Sequence, residues 1–372
     1  GIGMKIQPES ATKTANIIID FFSNIDRIDD YFRLRKIERV KNLPAPIPGF
    51  GLEDDMFQNY DMHPEDMDIE VAQIDNQTFN AMLEKVASFS PDQAPGKELK
   101  LVVKEKNTNT LLGFIKLGSP IINSKPRNNY LGDVPELTIF NQRAIMGFVI
   151  VPVQPFGFNY LGGKLMALIC TSHKVREMLN DKYDTEFCLF ETTSLYGNIK
   201  GMSMYDGLKP FLRFKGDTES KFVPTLGEEA YASCKKIIED DVQGEIIHKD
   251  ASSRKLKITT KMISLIKSSL KETDMELHDK FVSAIKKAES VTTQKRFYMS
   301  DYGYENTRDV LLGKTEILIK GPNYHKHDLE NIISWWKRKA SSRYNKLKSE
   351  DRIREELEVW NADTMNKIDI IR

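Results

Sequence analysis

Apolar positions along the chain change their spacing several times, and each change predicts a different kind of element. Over residues 8–41 they recur at helical spacing, which predicts a helix. Two short apolar runs, 99–103 and 111–117, flank the polar residues 107–109 and predict a β-hairpin. The β-branched run 148–151 predicts a further buried strand.

The second half of the chain continues the alternation of strands and helices. A strand is predicted over 186–192 and a helix over 230–239. From residue 250 onward the apolar spacing is mostly helical, with a last long helix predicted over 328–360. The order strand, helix, strand predicts an α/β (α+β) fold, in which a mixed sheet core is flanked by helical N- and C-terminal regions.

Charge divides the chain into regions of opposite sign, although the formal net charge is +0. Residues 1–95 hold 9 Lys and Arg against 17 Asp and Glu, whereas residues 251–350 hold 21 against 12. We therefore predict an acidic helical region 1–95 with a proline-rich linker at 43–49, a sheet domain 96–245 and a basic, mainly helical region 246–372.

The acidic segment 53–70 carries eight carboxylates and no Lys or Arg. We interpret it as a solvated loop in preference to a DNA mimic or a metal site.

Composition restricts the class of protein. The chain has 372 residues, 40% hydrophobic and 29% charged, which is ordinary soluble composition and long enough for two or three domains. The cysteines Cys170, Cys188 and Cys234 are far apart, which predicts neither a disulfide framework nor a zinc site. Scattered histidines, including the pair His325 and His327, predict no metal. No apolar run approaches the roughly 20 residues of a membrane span, so we predict a cytoplasmic protein without a membrane partner.

A glycine-bearing turn follows the strand 148–151. Gly157, Gly162 and Gly163 let a ligand approach the main chain, and Lys164 opens an apolar helix whose first N–H groups face the turn. The pattern predicts an anion site, with a connection that binds nothing as the alternative. Neither G-x-x-x-x-G-K-[ST] nor G-x-G-x-x-G occurs here, which excludes those two nucleotide-binding patterns.

This turn resembles the acyl-CoA-binding segment of GNAT-type acetyltransferases, which has the form Q/R-x-x-G-x-G/A. Gln154 and Gly157 match, whereas Asn159 stands in place of Gly or Ala. The departure implies either an altered pyrophosphate site or a shifted register. By resemblance, an acyl-CoA, possibly acetyl-CoA, would be held by Gln154, Gly157, Asn159, Gly162, Gly163 and Lys164.

The region from Leu99 to Gly216 as a whole resembles the domain of the Druantia anti-phage DruA proteins and the phage Mom DNA-modification proteins, both related to the GNAT fold. The segments 187–193 and 201–208 carry this resemblance, with Gly201 and Tyr205 at a fitting spacing. The N-W pair of those families is absent. The resemblance implies a protein encoded by a phage or another mobile element, in the host cytoplasm.

The same resemblance implies roles for two side chains. Glu191 lies at the predicted end of a strand and would deprotonate an attacking amine as general base. Tyr205 would protonate the departing thiolate. A structural role is the alternative for each of them.

A basic, aromatic segment follows near the C-terminal end. Six cations and no acid lie between 337 and 348, next to Trp335 and Trp336, and such interleaving suits phosphate contacts and base stacking. The two tryptophans cannot both face inward on one helix. We predict nucleic-acid contacts, to DNA first of all, from Trp336, Lys337, Arg338, Lys339, Arg343 and Lys346. The alternative is a solvated helix face.

Three functions fit these patterns. The first is a GNAT-like acyltransferase that modifies a nucleobase or nucleic acid. The second, favoured by Asn159, is a non-catalytic DNA-binding protein on the same scaffold. The third is a protein-interaction or structural component that docks through its acidic segment.

Overall fold

A computed structural model describes most of the chain. The described residues are 4–43, 55–88, 90–91, 95–194, 203–218, 225–246, 254–291 and 295–370. Most of the predicted linker 43–49, the first two acids of the segment 53–70, and Gly201 lie outside them.

The described strands form one seven-stranded sheet with the order β1-β2-β3-β4-β5-β7-β6. They are β1 (Ile69–Gln73), β2 (Glu98–Glu105), β3 (Thr110–Gly118), β4 (Ala144–Pro152), β5 (Leu189–Ser194), β6 (Arg213–Thr218) and β7 (Lys295–Ser300).

The sheet is mixed, which confirms the predicted fold class. Strands β4 and β5 pair in parallel, and the other neighbouring pairs are antiparallel. A parallel pair needs a long crossover, and here the chain passes through three helices between the two strands. The predicted hairpin is confirmed as β2 and β3, with Leu101 opposite Ile115.

Thirteen α-helices are described. They are α1 (Pro8–Ser23), α2 (Ile28–Lys41), α3 (Asn76–Val86), α4 (Lys125–Leu131), α5 (Leu137–Arg143), α6 (Phe156–Tyr160), α7 (Gly162–Cys170), α8 (His173–Tyr183), α9 (Glu228–Val242), α10 (Arg254–Thr273), α11 (Met275–Glu289), α12 (Thr307–Leu311) and α13 (Leu329–Ser349).

Three predicted helices were too long, because local capping ends them earlier. The helix 8–41 is two helices, and the Asp30 carboxylate accepts the Arg27 N–H at the start of the second. The helix that begins at the glycine turn was expected to continue to Tyr183, but it ends at Cys170, and the Ser172 hydroxyl caps α8 by accepting the Val175 N–H. The helix 328–360 ends at residue 349, and Asp351 shortly beyond it has a left-handed φ of 54°.

The sheet extends beyond the predicted range 96–245. Strand β1 precedes this range, and β7 follows it yet lies between β5 and β6. Strand β7 lies within the region 246–372 that the sequence predicts to be mainly helical.

Helices cover both faces of the sheet. Helix α3 packs Phe79 and Met82 with Phe114 on one face, and α7 packs on β3 and β4 from the other. Helix α13 lies over α6 and α7. Helices α1, α9, α10 and α11 form a second core of their own, which includes Phe22 and Ile266. Among the described helices none is long and apolar enough to span a bilayer.

Candidate functional site: a basic groove beside the sheet

The glycine turn is closely packed by protein atoms. A Cβ on Gly157 would lie 2.6 Å from the Gln154 side-chain nitrogen, and one on Gly162 would lie 2.7 Å from the Phe156 ring. A Cβ on Gly163 would lie 2.9 Å from the Met204 sulfur. The missing Cβ atoms therefore serve close packing in this structure.

Two of the predicted cofactor-binding side chains at this turn bond to the main chain. Gln154 Oε1 accepts the Phe158 N–H at 2.9 Å. Asn159 is fully buried, and its amide donates to the Arg354 carbonyl at 2.9 Å and accepts the Arg354 N–H at 3.0 Å. Asn159 thus joins α6 to the segment that follows α13.

Lys164 is engaged in the same way. Its Nζ donates to the carbonyls of Met204 (2.9 Å) and Asp206 (2.7 Å). Burial lowers the pKa of Lys164, and the Asp206 carboxylate opposes this shift. The acyl-CoA site stays a prediction, and these contacts do not favour it in this conformation.

Glu191 forms a buried ion pair with Arg127. Its two carboxylate oxygens accept Arg127 Nε and Nη2, each at 2.6 Å, and both side chains have 0% exposure. Arg127 also donates to the carbonyls of Ile121 (2.8 Å) and Ile122 (3.1 Å). Burial raises the pKa of Glu191, and the hydrogen bonds and charge of Arg127 oppose that rise. The pair fixes α4 and the loop before it to β5.

The structure does not bring Glu191 and Tyr205 to one site. Glu191 lies opposite Met299 across β5 and β7, so both side chains are on the same face of the sheet. Tyr205 packs edge-on against Tyr298, with ring centroids 5.4 Å apart, and Tyr298 points to the other face. The base and proton-donor roles stay predictions, but the two groups face opposite sides.

Helix α13 buries one stripe of side chains at i, i+4 and i, i+3 spacing: Ile332, Trp336, Ala340, Tyr344 and Leu347. Trp336 is fully buried, and its indole N–H donates to the Tyr160 carbonyl at 2.9 Å. Its ring is therefore part of the core and is not available for stacking on a base in this conformation. Trp335, one position earlier, is only partly buried.

The predicted basic residues of α13 divide into engaged and open side chains. Lys337 donates to the Glu65 carbonyl at 3.1 Å, and Arg343 donates to the Phe158 carbonyl at 3.1 Å. Arg338, Lys339 and Lys346 are exposed.

Arg338 and Trp335 line a cavity of about 460 Å³, which we call the basic groove. Its lining residues are Lys209, Pro210, Phe211, Lys326, Asn331, Ser334, Trp335 and Arg338.

The cations of the basic groove are unpaired. Within the part of the chain that the structure describes, Lys209, Lys326 and Arg338 have no side-chain hydrogen bond or ion pair, and no acid is among the lining residues. Trp335 packs on Phe211 with centroids 5.8 Å apart, and Lys339 Nζ lies 5.7 Å from the Trp335 ring. The groove therefore combines positive charge with an aromatic surface.

Sequence reasoning identified only one cation of this groove. Arg338 belongs to the basic segment, whereas Lys209 and Lys326 lie outside it in sequence. Trp335 belongs to that segment too, but the tryptophan predicted to contact nucleic acid was Trp336. No local pattern connects these residues, because the fold alone brings them together.

No metal site is evident. Among the described residues no group of three or more His, Cys, Asp or Glu side chains is placed to hold a metal ion. Cys170, Cys188 and Cys234 are buried free thiols. Burial raises the pKa of both Cys188 and Cys234 to about 12.

A family model described as Druantia protein DruA matches residues 50–203, less than half of the chain. The matched residues include the glycine turn, Arg127 and Glu191, whereas the cations of the basic groove lie outside the match. No curated protein and no solved structure matches the chain. The GNAT and Mom resemblances are not confirmed by these comparisons. The segment 50–203 is thus similar to Druantia protein DruA.

Proposed function

We propose that the protein binds single-stranded nucleic acid in the basic groove and that it acts in defence against phage. The observation that carries this proposal is the set of three unpaired cations, Lys209, Lys326 and Arg338, around one cavity with Trp335 in its wall.

The charge of the groove favours a polyanion. Three cations from separate segments converge there without a carboxylate among the lining residues. A phosphate backbone offers regularly spaced negative charges. Its binding releases counterions, and this release increases the entropy. The like charges of the groove would repel one another less once phosphates lie between them.

The aromatic wall favours a single strand. Trp335 is partly buried, and its ring lies beside Phe211 and Lys339. Unpaired bases stack on such aromatic surfaces with little dependence on sequence. Asn331 and Ser334 add exposed hydrogen-bonding groups to the same cavity.

The defence role is supported by the match of residues 50–203 to Druantia protein DruA. Because the groove lies outside the matched segment, the nucleic-acid binding and the defence role rest on separate observations. Single-stranded DNA is the ligand to test first, since DNA is the nucleic acid that the sequence predicts as the first partner.

Fluorescence anisotropy of a labelled single-stranded DNA over a series of salt concentrations tests the binding. Lys326→Ala and Arg338→Ala each remove one groove cation. For each we expect weaker binding and a salt slope smaller by about 0.7. The matched control is Lys286→Ala, which removes an exposed cation from α11, outside the groove. Undetectable binding by the wild type, or equal losses in all three variants, would overturn the proposal.

Acyl transfer to nucleic acid stays an alternative prediction from the resemblance. Calorimetric titration of the wild-type protein with acetyl-CoA and with CoA tests it directly. Binding of either would show that the packed turn opens to admit a cofactor, and heats equal to buffer dilution would remove the cofactor assignment.

A further inference from the structure

A second cavity, of about 240 Å³, shares Pro210 with the basic groove, and we call it the end cavity. Its lining residues are Tyr130, Leu189, Pro210, Arg213, Lys215, Met299, Ser300 and Asp301. We infer that the end cavity binds a terminal phosphate of the strand that lies in the basic groove. This inference rests on the proposed function.

Cations surround the Tyr130 ring at this cavity. Lys215 Nζ and the Arg308 guanidinium carbon each lie 4.3 Å from the ring centroid. Arg213 lies two residues before Lys215 on β6 and lines the same cavity. Within the described ranges, none of these three cations is within ion-pair distance of a carboxylate.

The cavity has one carboxylate, that of Asp301, which already accepts a hydrogen bond in the turn after β7. Asp301 Oδ1 accepts the Gly303 N–H at 2.8 Å. Arg213 and Lys215 line the cavity, and Arg308 lies beside it against the Tyr130 ring without lining it. Counted together, these three cations exceed the one acid by two positive charges. A phosphate monoester carries between about −1.5 and −2 at neutral pH, whereas an internal phosphodiester carries −1. A terminal phosphate therefore balances the cavity better than an internal one.

Crowding of like charges supports the need for an anion. Burial lowers the pKa of Lys215, and the positive charges of Arg213, Arg308 and Lys209 lower it further, against Asp301. A bound phosphate would offset this repulsion. The volume of the cavity is about eight times the ~30 Å³ that a water molecule occupies in the liquid, which leaves room for a phosphate group.

The walls of the end cavity are held in place independently of any ligand. Tyr130 lies on α4, which the buried pair of Arg127 and Glu191 fixes to the sheet. Arg213 and Lys215 lie on β6, which is hydrogen-bonded to β7. Because Pro210 lines both cavities, one nucleic-acid strand can reach from the basic groove into the end cavity.

The test uses three forms of the same oligonucleotide, which carry a 5′-phosphate, a 3′-phosphate or hydroxyls at both ends. Fluorescence anisotropy measures the affinity of the protein for each form. For the wild type we expect one phosphorylated form to bind about tenfold tighter than the hydroxyl form. Lys215→Ala should abolish this preference and leave the affinity for the hydroxyl form unchanged. Arg213→Ala, at an exposed position, is the second variant should Lys215→Ala fail to fold.

Arg338→Ala serves as the matched control, because it should weaken all three oligonucleotides and keep the preference. Equal affinities in the wild type, or a preference that survives both Lys215→Ala and Arg213→Ala, would overturn the inference while groove binding stands. Loss of binding to every oligonucleotide in the wild type would instead overturn the proposed function.

Discussion

Replacing Glu191 by Gln would leave the Arg127 guanidinium in the core without a counter-ion. The side chain would keep its shape, but one of the two 2.6 Å contacts would then join two donors. Both groups have 0% exposure, so water does not replace the lost charge. Removing one partner of a buried ion pair costs about 3–5 kcal/mol, and we expect Glu191→Gln to lower the free energy of unfolding by about that amount.

Urea unfolding followed by circular dichroism measures this loss. The double variant Arg127→Met/Glu191→Met should be less destabilised than Glu191→Gln, because neither charge then remains buried. Glu70→Gln, at an exposed position of β1, is the control and should stay within about 0.5 kcal/mol of the wild type. An equally small effect of Glu191→Gln would refute the buried ion pair and restore Glu191 as a candidate base.

Three further predictions follow from packing and burial. Trp335→Ala should weaken single-stranded DNA binding by about 1–3 kcal/mol in anisotropy titrations. Trp336→Ala should instead lower the free energy of unfolding by about 3–5 kcal/mol. If Trp335→Ala destabilised the fold and Trp336→Ala weakened DNA binding, the orientation of α13 would be contradicted. Burial lowers the pKa of His173 to about 4. Because the unfolded imidazole takes up its proton near pH 6.5, the free energy of unfolding should fall by about 3 kcal/mol between pH 6.5 and 4. If His173→Gln has the same pH dependence of unfolding as the wild type, His173 is not its cause. Gly162→Ala should cost about 1–3 kcal/mol by overpacking Phe156, and unchanged thermal unfolding would show room at the turn.

Elements with local signals could be predicted from the sequence. The hairpin β2–β3 was predicted because its two apolar runs flank a polar turn only three residues long. The order of strand, glycine turn, helix and strand from β4 to β5 was predicted from the apolar runs and the glycines between them. The argument that adjacent tryptophans cannot share a helix face is also confirmed, since Trp336 is buried and Trp335 is partly exposed.

Features that depend on distant residues could not be predicted. Strand β7 pairs with β5 across about a hundred residues, and nothing in its own composition indicates that neighbour. The choice of Trp336 for the interior depends on where α6 and α7 meet α13. Nothing in the sequence around Arg127 indicates the ion pair that it forms with Glu191. The sequence therefore left a catalytic and a structural role open for Glu191 without indicating its partner.

The position of β7 also determines when the sheet is completed during synthesis. Ribosomes release the chain from its N-terminal end, so β5 and β6 emerge well before residues 295–300 and remain without the partner that separates them in the sheet. Until then one edge of β5 is open, and open edges invite pairing with other chains. A nascent or truncated chain that stops before β7 therefore exposes an edge of β5 that the full chain covers, and a chaperone would be needed most over this interval.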